Sequence, residues 1–248
     1  MFGSDEDSHN HSLEVLNILE GYNTFMESID TLCDMGCGNG RDLEWWATRT
    51  VEDDTGRNIP LNIKCTGVDL KEKISIASKY ENIEYLTHNM EETISNRKFD
   101  IIWCHNSFQY VTNPLETLKK WWYMLTDGGM LALVVPSTTE VQYNKLHYTQ
   151  PDYHYFNYTI PGLLHMLAVN GFDCAFTHKD TDDPWIKMVV YKSEHEPMDP
   201  KITRWYHLAE KELLPKTVID SINKHGEVWQ EELTLEWLNH SLKWYGSD

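Results

Sequence analysis

Positive charge is what this 248-residue chain has least of. Its 21 Lys and Arg stand against 39 Asp and Glu, a formal net charge of −18. That balance gives no general attraction for phosphate backbones or anionic membranes, where each contact requires cationic neutralisation. Neither a nucleic-acid nor a membrane partner is expected. Long apolar runs are also missing: the longest, MLALVV at 130–135, is far too short to cross a bilayer. The opening MFGSDEDSHNHS is acidic where a secretory signal would be basic. The five cysteines (Cys33, Cys37, Cys65, Cys104 and Cys174) form no CxxC and no zinc spacing. We therefore expect a reduced, cytoplasmic chain. The twelve histidines include no HExxH, and no metal site is expected.

What is present is enough for a buried core, with 41% hydrophobic and 24% charged residues. The acidity is uneven. Residues 1–31 carry seven acids and no Lys or Arg, and residues 194–248 carry eleven acids against six bases. Three regions follow: an acidic arm at 1–11, a main domain at 12–193, and a helical extension at 194–248 packed on that domain. The extension is too rich in Trp, Tyr and Leu to be a free tail.

Along the main domain, Leu13, Leu16, Leu19, Phe25 and Ile29 recur at helical spacing. Strands are predicted at 31–35, 64–70, 82–88, 99–105 and 130–136. Helices are predicted at 41–49, 71–80 and 114–125, the last capped by Asn113 and opened by Pro114. Residues 50–62 read as a loop, 90–97 as a short helix or turn, and Asp127-Gly128-Gly129 as a turn. Alternating helices and continuously apolar strands imply an α/β, doubly wound, mostly parallel sheet. A helix from Thr159 to Asn170 and two strands, FDCAFTHK and WIKMVVYKS, suggest an antiparallel hairpin closing it. The C-terminal helices should break near Pro215 and Gly226. One member of each pair Trp45-Trp46 and Trp121-Trp122 is expected in the core.

The most informative stretch is CDMGCGNGR at 33–41, where a strand ends in alternating glycines and a helix follows. Glycine lets the backbone turn sharply and approach a ligand closely, and a helix N-terminus has free N–H groups. Asp69 ends the next strand, where a carboxylate can accept both hydroxyls of a ribose. The dinucleotide fingerprint is GxGxxG, and the third glycine here comes one residue early.

With an acid two residues ahead of the first glycine, Asp34-Met35-Gly36-Cys37-Gly38-Asn39-Gly40 resembles motif I of the class I S-adenosylmethionine-dependent methyltransferases. Asp69, HNMEE at 88–92 and the run from FDIIWCH through the Gly-Gly turn to MLALVVP are similar to later parts of that pattern. The small-molecule branch that includes the ubiquinone-biosynthesis enzymes is the most alike. The resemblance covers residues 12–193 and implies a seven-stranded Rossmann-like fold and S-adenosylmethionine as cofactor. It implies that Gly36, Cys37, Gly38 and Gly40 offer backbone to the cofactor, and that Asp34 orients its amino group. Asp69 would bind the ribose, Leu70 lie against adenine, Asn89 and Met90 read the adenine edge, and His105 sit beside the methionine portion. Asn89 stands where this family usually has an acid; its amide oxygen can still address the adenine amino group. The long spacing from Gly36 to Asp69 is assigned to the 50–62 loop.

Methyl transfer chiefly requires alignment and desolvation of the nucleophile, with a base needed when the acceptor carries a proton. Candidates for that chemistry are His105, Tyr110 and His154, with Asn106, Gln109, His147, Tyr148 and Tyr155 nearby in sequence. Tyr143, Tyr148, Tyr153, Tyr155, Phe156 and Tyr158 make an aromatic cluster that either lines a substrate pocket or packs the loop onto the body. The resemblance implies a small-molecule methyl acceptor and a monomer or homodimer. Two other readings stay open: a degenerate cofactor-binding protein acting as an interaction module, and an NAD-type oxidoreductase, against which the glycine spacing counts.

Overall fold

Strands as apolar as FDIIWCH and MLALVV have to be covered on both faces. The computed structural model shows how. It describes residues 26–53, 55–70, 79–136, 155–175 and 185–228, together with 13, 15–17 and 19. The principal strands are β1 (Thr31–Met35), β4 (Lys64–Asp69), β5 (Ile83–Thr87), β6 (Phe99–His105), β7 (Leu125–Pro136), β8 (Phe172–Asp173) and β9 (Trp185–Lys192). They form one seven-stranded sheet in the order β5-β4-β1-β6-β7-β9-β8. The first five in that order run parallel, and β9 is antiparallel to both β7 and β8. This is the mostly parallel, doubly wound Rossmann-like sheet with an antiparallel closing pair that the sequence implies.

Helix α1 (Arg41–Ala47) follows β1, and α2 (Pro114–Met124) follows β6. Helix α3 (Ile160–Val169) precedes β8, and the chain continues through α4 (Trp205–Glu210) and α5 (Lys216–His225). The caps follow local chemistry. The Asn113 side chain accepts the Glu116 N–H, the Thr159 side chain accepts the Gly162 N–H, and α5 starts after Pro215 and stops at Gly226, whose φ is +75°.

Alternate residues of the strands enter two cores. One face buries Cys33, Ile102, Leu131 and Leu133 with α2, α3 and the C-terminal helices; the other buries Leu32, Trp103 and Ala132 with Trp46 and Leu16 and Leu19.

Several expectations need correction. Residues 50–60 are not a plain loop: β2 (Thr50–Glu52) and β3 (Asn58–Pro60) make a small antiparallel hairpin outside the main sheet. Residues 90–97, where either a short helix or a turn was expected, take the turn. The Asp127-Gly128-Gly129 turn is a bulge within β7, where pairing jumps from Phe99–Leu125 to Ile101–Met130. Of the described part of FDCAFTHK, Phe172 and Asp173 are in a strand and Cys174 and Ala175 are not; 176–179 lie outside the described residues. Trp121 and Trp122 are both buried, whereas Trp46 is buried and Trp45 half-buried. The helix expected at 71–80 and the arm at 1–11 lie largely or wholly outside the described residues, as do 137–154 and 229–248.

Candidate functional site

In an open α/β sheet the connections leave a crevice beyond the strand ends where the strand order reverses. Here that point lies between β1 and β6, and a cavity of about 730 Å³ opens there. Asp34 from β1, Val68 and Asp69 from β4 and His105 from β6 line it, with Leu70, His88, Asn89 and Met90 from the segments that follow β4 and β5. Gly36, Cys37 and Gly38 form another wall. Tyr110 and Tyr155 also line it, so of the three proton-transfer candidates His105 and Tyr110 are together; His154 falls outside the described residues.

The glycine loop is built differently from a set of outward donors. The N–H groups of Gly36 and Cys37 both donate to the Val68 carbonyl, at 2.8 and 3.0 Å, and Gly40 N–H donates to Cys37 O at 2.9 Å. Gly38 N–H donates to Oδ2 of Asp69 at 3.0 Å. What the glycines supply is therefore room and backbone shape. Gly36 has φ +80°, and a Cβ there would sit 2.4 Å from the Ser107 side chain, so no larger residue fits. Gly40, at φ +83°, caps α1 and does not line the cavity.

The electrostatics favour a cationic guest. Asp34, Asp42, Asp69 and Glu91 line the cavity, and among the described residues Arg41 is its one lysine or arginine. Burial, then the nearby Asp42 and Asp69, push the Asp34 carboxyl well above the usual carboxylate range. Burial, then Asp34 and Asp69, likewise raise the Cys37 thiol, which keeps it neutral. Burial also raises the Tyr110 hydroxyl, against a hydrogen bond from Gln109.

Several side chains here escaped the sequence reading. Asp42 is buried in the first turn of α1, where its Oδ2 accepts the Trp103 indole N–H at 2.9 Å and lies 3.3 Å from His105 Nδ1. Its signal was available: Asp42 and Trp46 are four residues apart and share the buried face of one helix. Ser107 donates its hydroxyl to the carbonyls of Gly36 (2.9 Å) and His105 (3.1 Å), joining the two walls. Glu91 accepts from the Thr112 hydroxyl at 2.7 Å and the Asn113 N–H at 3.1 Å, fixing the turn after β5 to the start of α2. Of the aromatic cluster, Tyr155 and Phe156 are exposed, whereas Tyr158 is core, stacked 5.4 Å from Phe108.

The sequence matches the model of a family described as a methyltransferase domain over residues 15–175. The chain belongs to the methyltransferase-domain family. Solved methyltransferases share the fold. The 1,6-didemethyltoxoflavin-N1-methyltransferase of Burkholderia thailandensis, bound to 1,6-didemethyltoxoflavin and S-adenosylhomocysteine, is 15% identical with a TM-score of 0.51; the match covers 77% of this chain and 84% of that one. The N-methyltransferase NodS of Bradyrhizobium japonicum, in complex with S-adenosylhomocysteine, is 12% identical with a TM-score of 0.52, covering 75% and 87%. The plantazolicin methyltransferase BpumL, in complex with S-adenosylhomocysteine, is 16% identical with a TM-score of 0.51, covering 77% and 92%. No curated protein matches the sequence.

Among the described residues no group of three or more His, Cys, Asp or Glu is placed to hold a metal ion, and no helix is long and apolar enough to cross a membrane.

Proposed function

We propose that this methyltransferase-domain protein moves a methyl group from S-adenosylmethionine to a small-molecule acceptor. The observation that carries the reading is the acidic cavity at the sheet's switch point, walled by a glycine that has no space for a side chain. Its volume of about 730 Å³ is within the range of sites that enclose a cofactor-sized molecule. The donor set fits. Asp69 ends β4 where two ribose hydroxyls can donate to it, and the exposed Leu70 offers an apolar surface for adenine. Asn89 and Met90 line the same cavity and would meet the adenine edge, and Asp34, also in its lining, would meet an ammonium group. When bound, the cofactor supplies an electrophilic methyl group with its own leaving group. The chain's residues bind it, align the acceptor and exclude water.

A small acceptor accords with the charge of −18, which disfavours a polyanion. The five free, buried cysteines suit a reducing cytoplasm, where we place the protein as a monomer or homodimer.

The test is calorimetric titration with S-adenosylhomocysteine, with NAD in parallel. Saturable binding of the former alone supports the reading, and a screen with methyl-labelled S-adenosylmethionine then identifies acceptors. Binding of NAD alone would make the protein a dinucleotide enzyme. Binding of neither would favour an interaction module.

A further inference from the structure

Residues two apart on a strand face the same way. On β6 this puts Trp103 and His105 on one side of the sheet, under the first turn of α1. Asp42 meets both. Its Oδ2 accepts the Trp103 indole N–H at 2.9 Å, which fixes the carboxylate, and lies 3.3 Å from Nδ1 of His105. The His105 side chain is only 8% exposed and lines the cavity, and its Nε2 is buried with no hydrogen-bond partner among the described residues. Burying such a group unpaired is costly, and it is retained where function uses it. The Trp185 ring, 6.2 Å away, adds an apolar neighbour.

We propose that Asp42 is a positioning residue that keeps the His105 proton on Nδ1, so that the bare Nε2 receives the acceptor's proton. This rests on the proposed methyl transfer and narrows its substrate class to nucleophiles that carry a proton, a hydroxyl or an ammonium. The step balances. The nucleophile's electron pair forms the bond to the methyl carbon, the carbon–sulfur pair leaves with sulfur, and the nucleophile's proton goes to Nε2. Tertiary amines and thiolates need no such base and fall outside the class.

The test reads the tautomer directly. Long-range ¹H–¹⁵N spectra of the full chain, with His105 assigned by its loss in His105→Gln, report which ring nitrogen carries the proton. At neutral pH we expect Nδ1–H with a bare Nε2, unchanged when S-adenosylhomocysteine is added. In Asp42→Asn the proton should shift toward Nε2. A wild-type ring protonated on Nε2, or on both nitrogens, overturns the proposal, and this arm needs no folded variant. Protonation of Nε2 on adding S-adenosylhomocysteine overturns it too, by making His105 a cofactor ligand. Calorimetry on the same samples keeps a failure of cofactor binding separate. If the labelled screen yields an acceptor, His105→Ala should lose kcat and regain part of it with added imidazole; absence of rescue counts against the base.

Discussion

Asp34 carries the sharpest conflict at a single residue, because the free fold buries a carboxyl beside Asp42 and Asp69. Its pKa is raised in the folded chain, while the unfolded side chain ionises near the ordinary value of about 3.9. Unfolding therefore releases a proton above that value, and stability falls as pH rises from the unfolded pKa through the folded one. Asp34→Asn stays neutral throughout. We expect its thermal midpoint to exceed the wild type's at neutral pH and to vary less with pH, as melts of the ligand-free protein will show. The same substitution should weaken S-adenosylhomocysteine, whose ammonium favours the ionised form. In the wild type, binding should release protons, seen as a heat that changes with the buffer's ionisation enthalpy. Asp69 is a different case. Asp69→Ala removes the proposed ribose acceptor and the partner of Gly38 N–H. Calorimetry should show binding weaker by about 1–3 kcal/mol, roughly 5- to 150-fold. An unchanged affinity would refute the ribose assignment.

Between elements, α2 holds the turn after β5 in place. Trp121 Nε1 donates to Met90 O at 2.9 Å and Lys120 Nζ to Glu91 O at 2.7 Å. Burial alone would raise the Glu91 carboxyl, but hydrogen bonds from Thr112 and Asn113 outweigh it and leave it below the usual range. Trp121→Phe keeps an aromatic ring in the core but removes the indole donor together with part of the buried ring volume. We expect a cost of at least about 1 kcal/mol in stability and a loss of about fivefold in S-adenosylhomocysteine affinity. An intact affinity would show that the turn holds its shape unaided. That tether was not legible in the sequence, because it joins residues about 30 positions apart through a backbone carbonyl. The strands were legible because β6 from Ile101 to Cys104 and β7 from Met130 to Val135 are continuously apolar, and α2 because Asn113 and Pro114 mark its start. The β2–β3 hairpin was not, since TVE and NIP are three residues each and largely exposed, too short for a period of two to register. At the cavity, glycine spacing and a strand-end acid pointed to Gly36 and Asp69. Asp42 had only a one-turn helical pattern and Ser107 no pattern at all.

For the molecule as a whole, the decisive fact is that its core crosses the boundary drawn at residue 193. Leu208, Leu213, Leu214 and Val218 are each at most 2% exposed and share the core with β7, α2 and α3. The join is also polar: Cys174 N–H donates to Leu213 O at 3.0 Å, and Met198 N–H to Val169 O at 2.8 Å. At roughly 1.5–3 kcal/mol for each buried side chain, these four contribute about 6–12 kcal/mol. That is comparable with the whole stability of an ordinary domain, about 5–15 kcal/mol. A chain ending at residue 193 should therefore lose its cooperative thermal transition and bind no S-adenosylhomocysteine. Deleting residues 1–11, where no motif lies, should change neither. Melting curves and calorimetry on the two truncations make the comparison. If the chain ending at 193 melts cooperatively and binds, the C-terminal helices are a separable layer, and their apolar inner face becomes available for regulation by undocking. If it does not, they are part of the structure that keeps the cavity's walls in register.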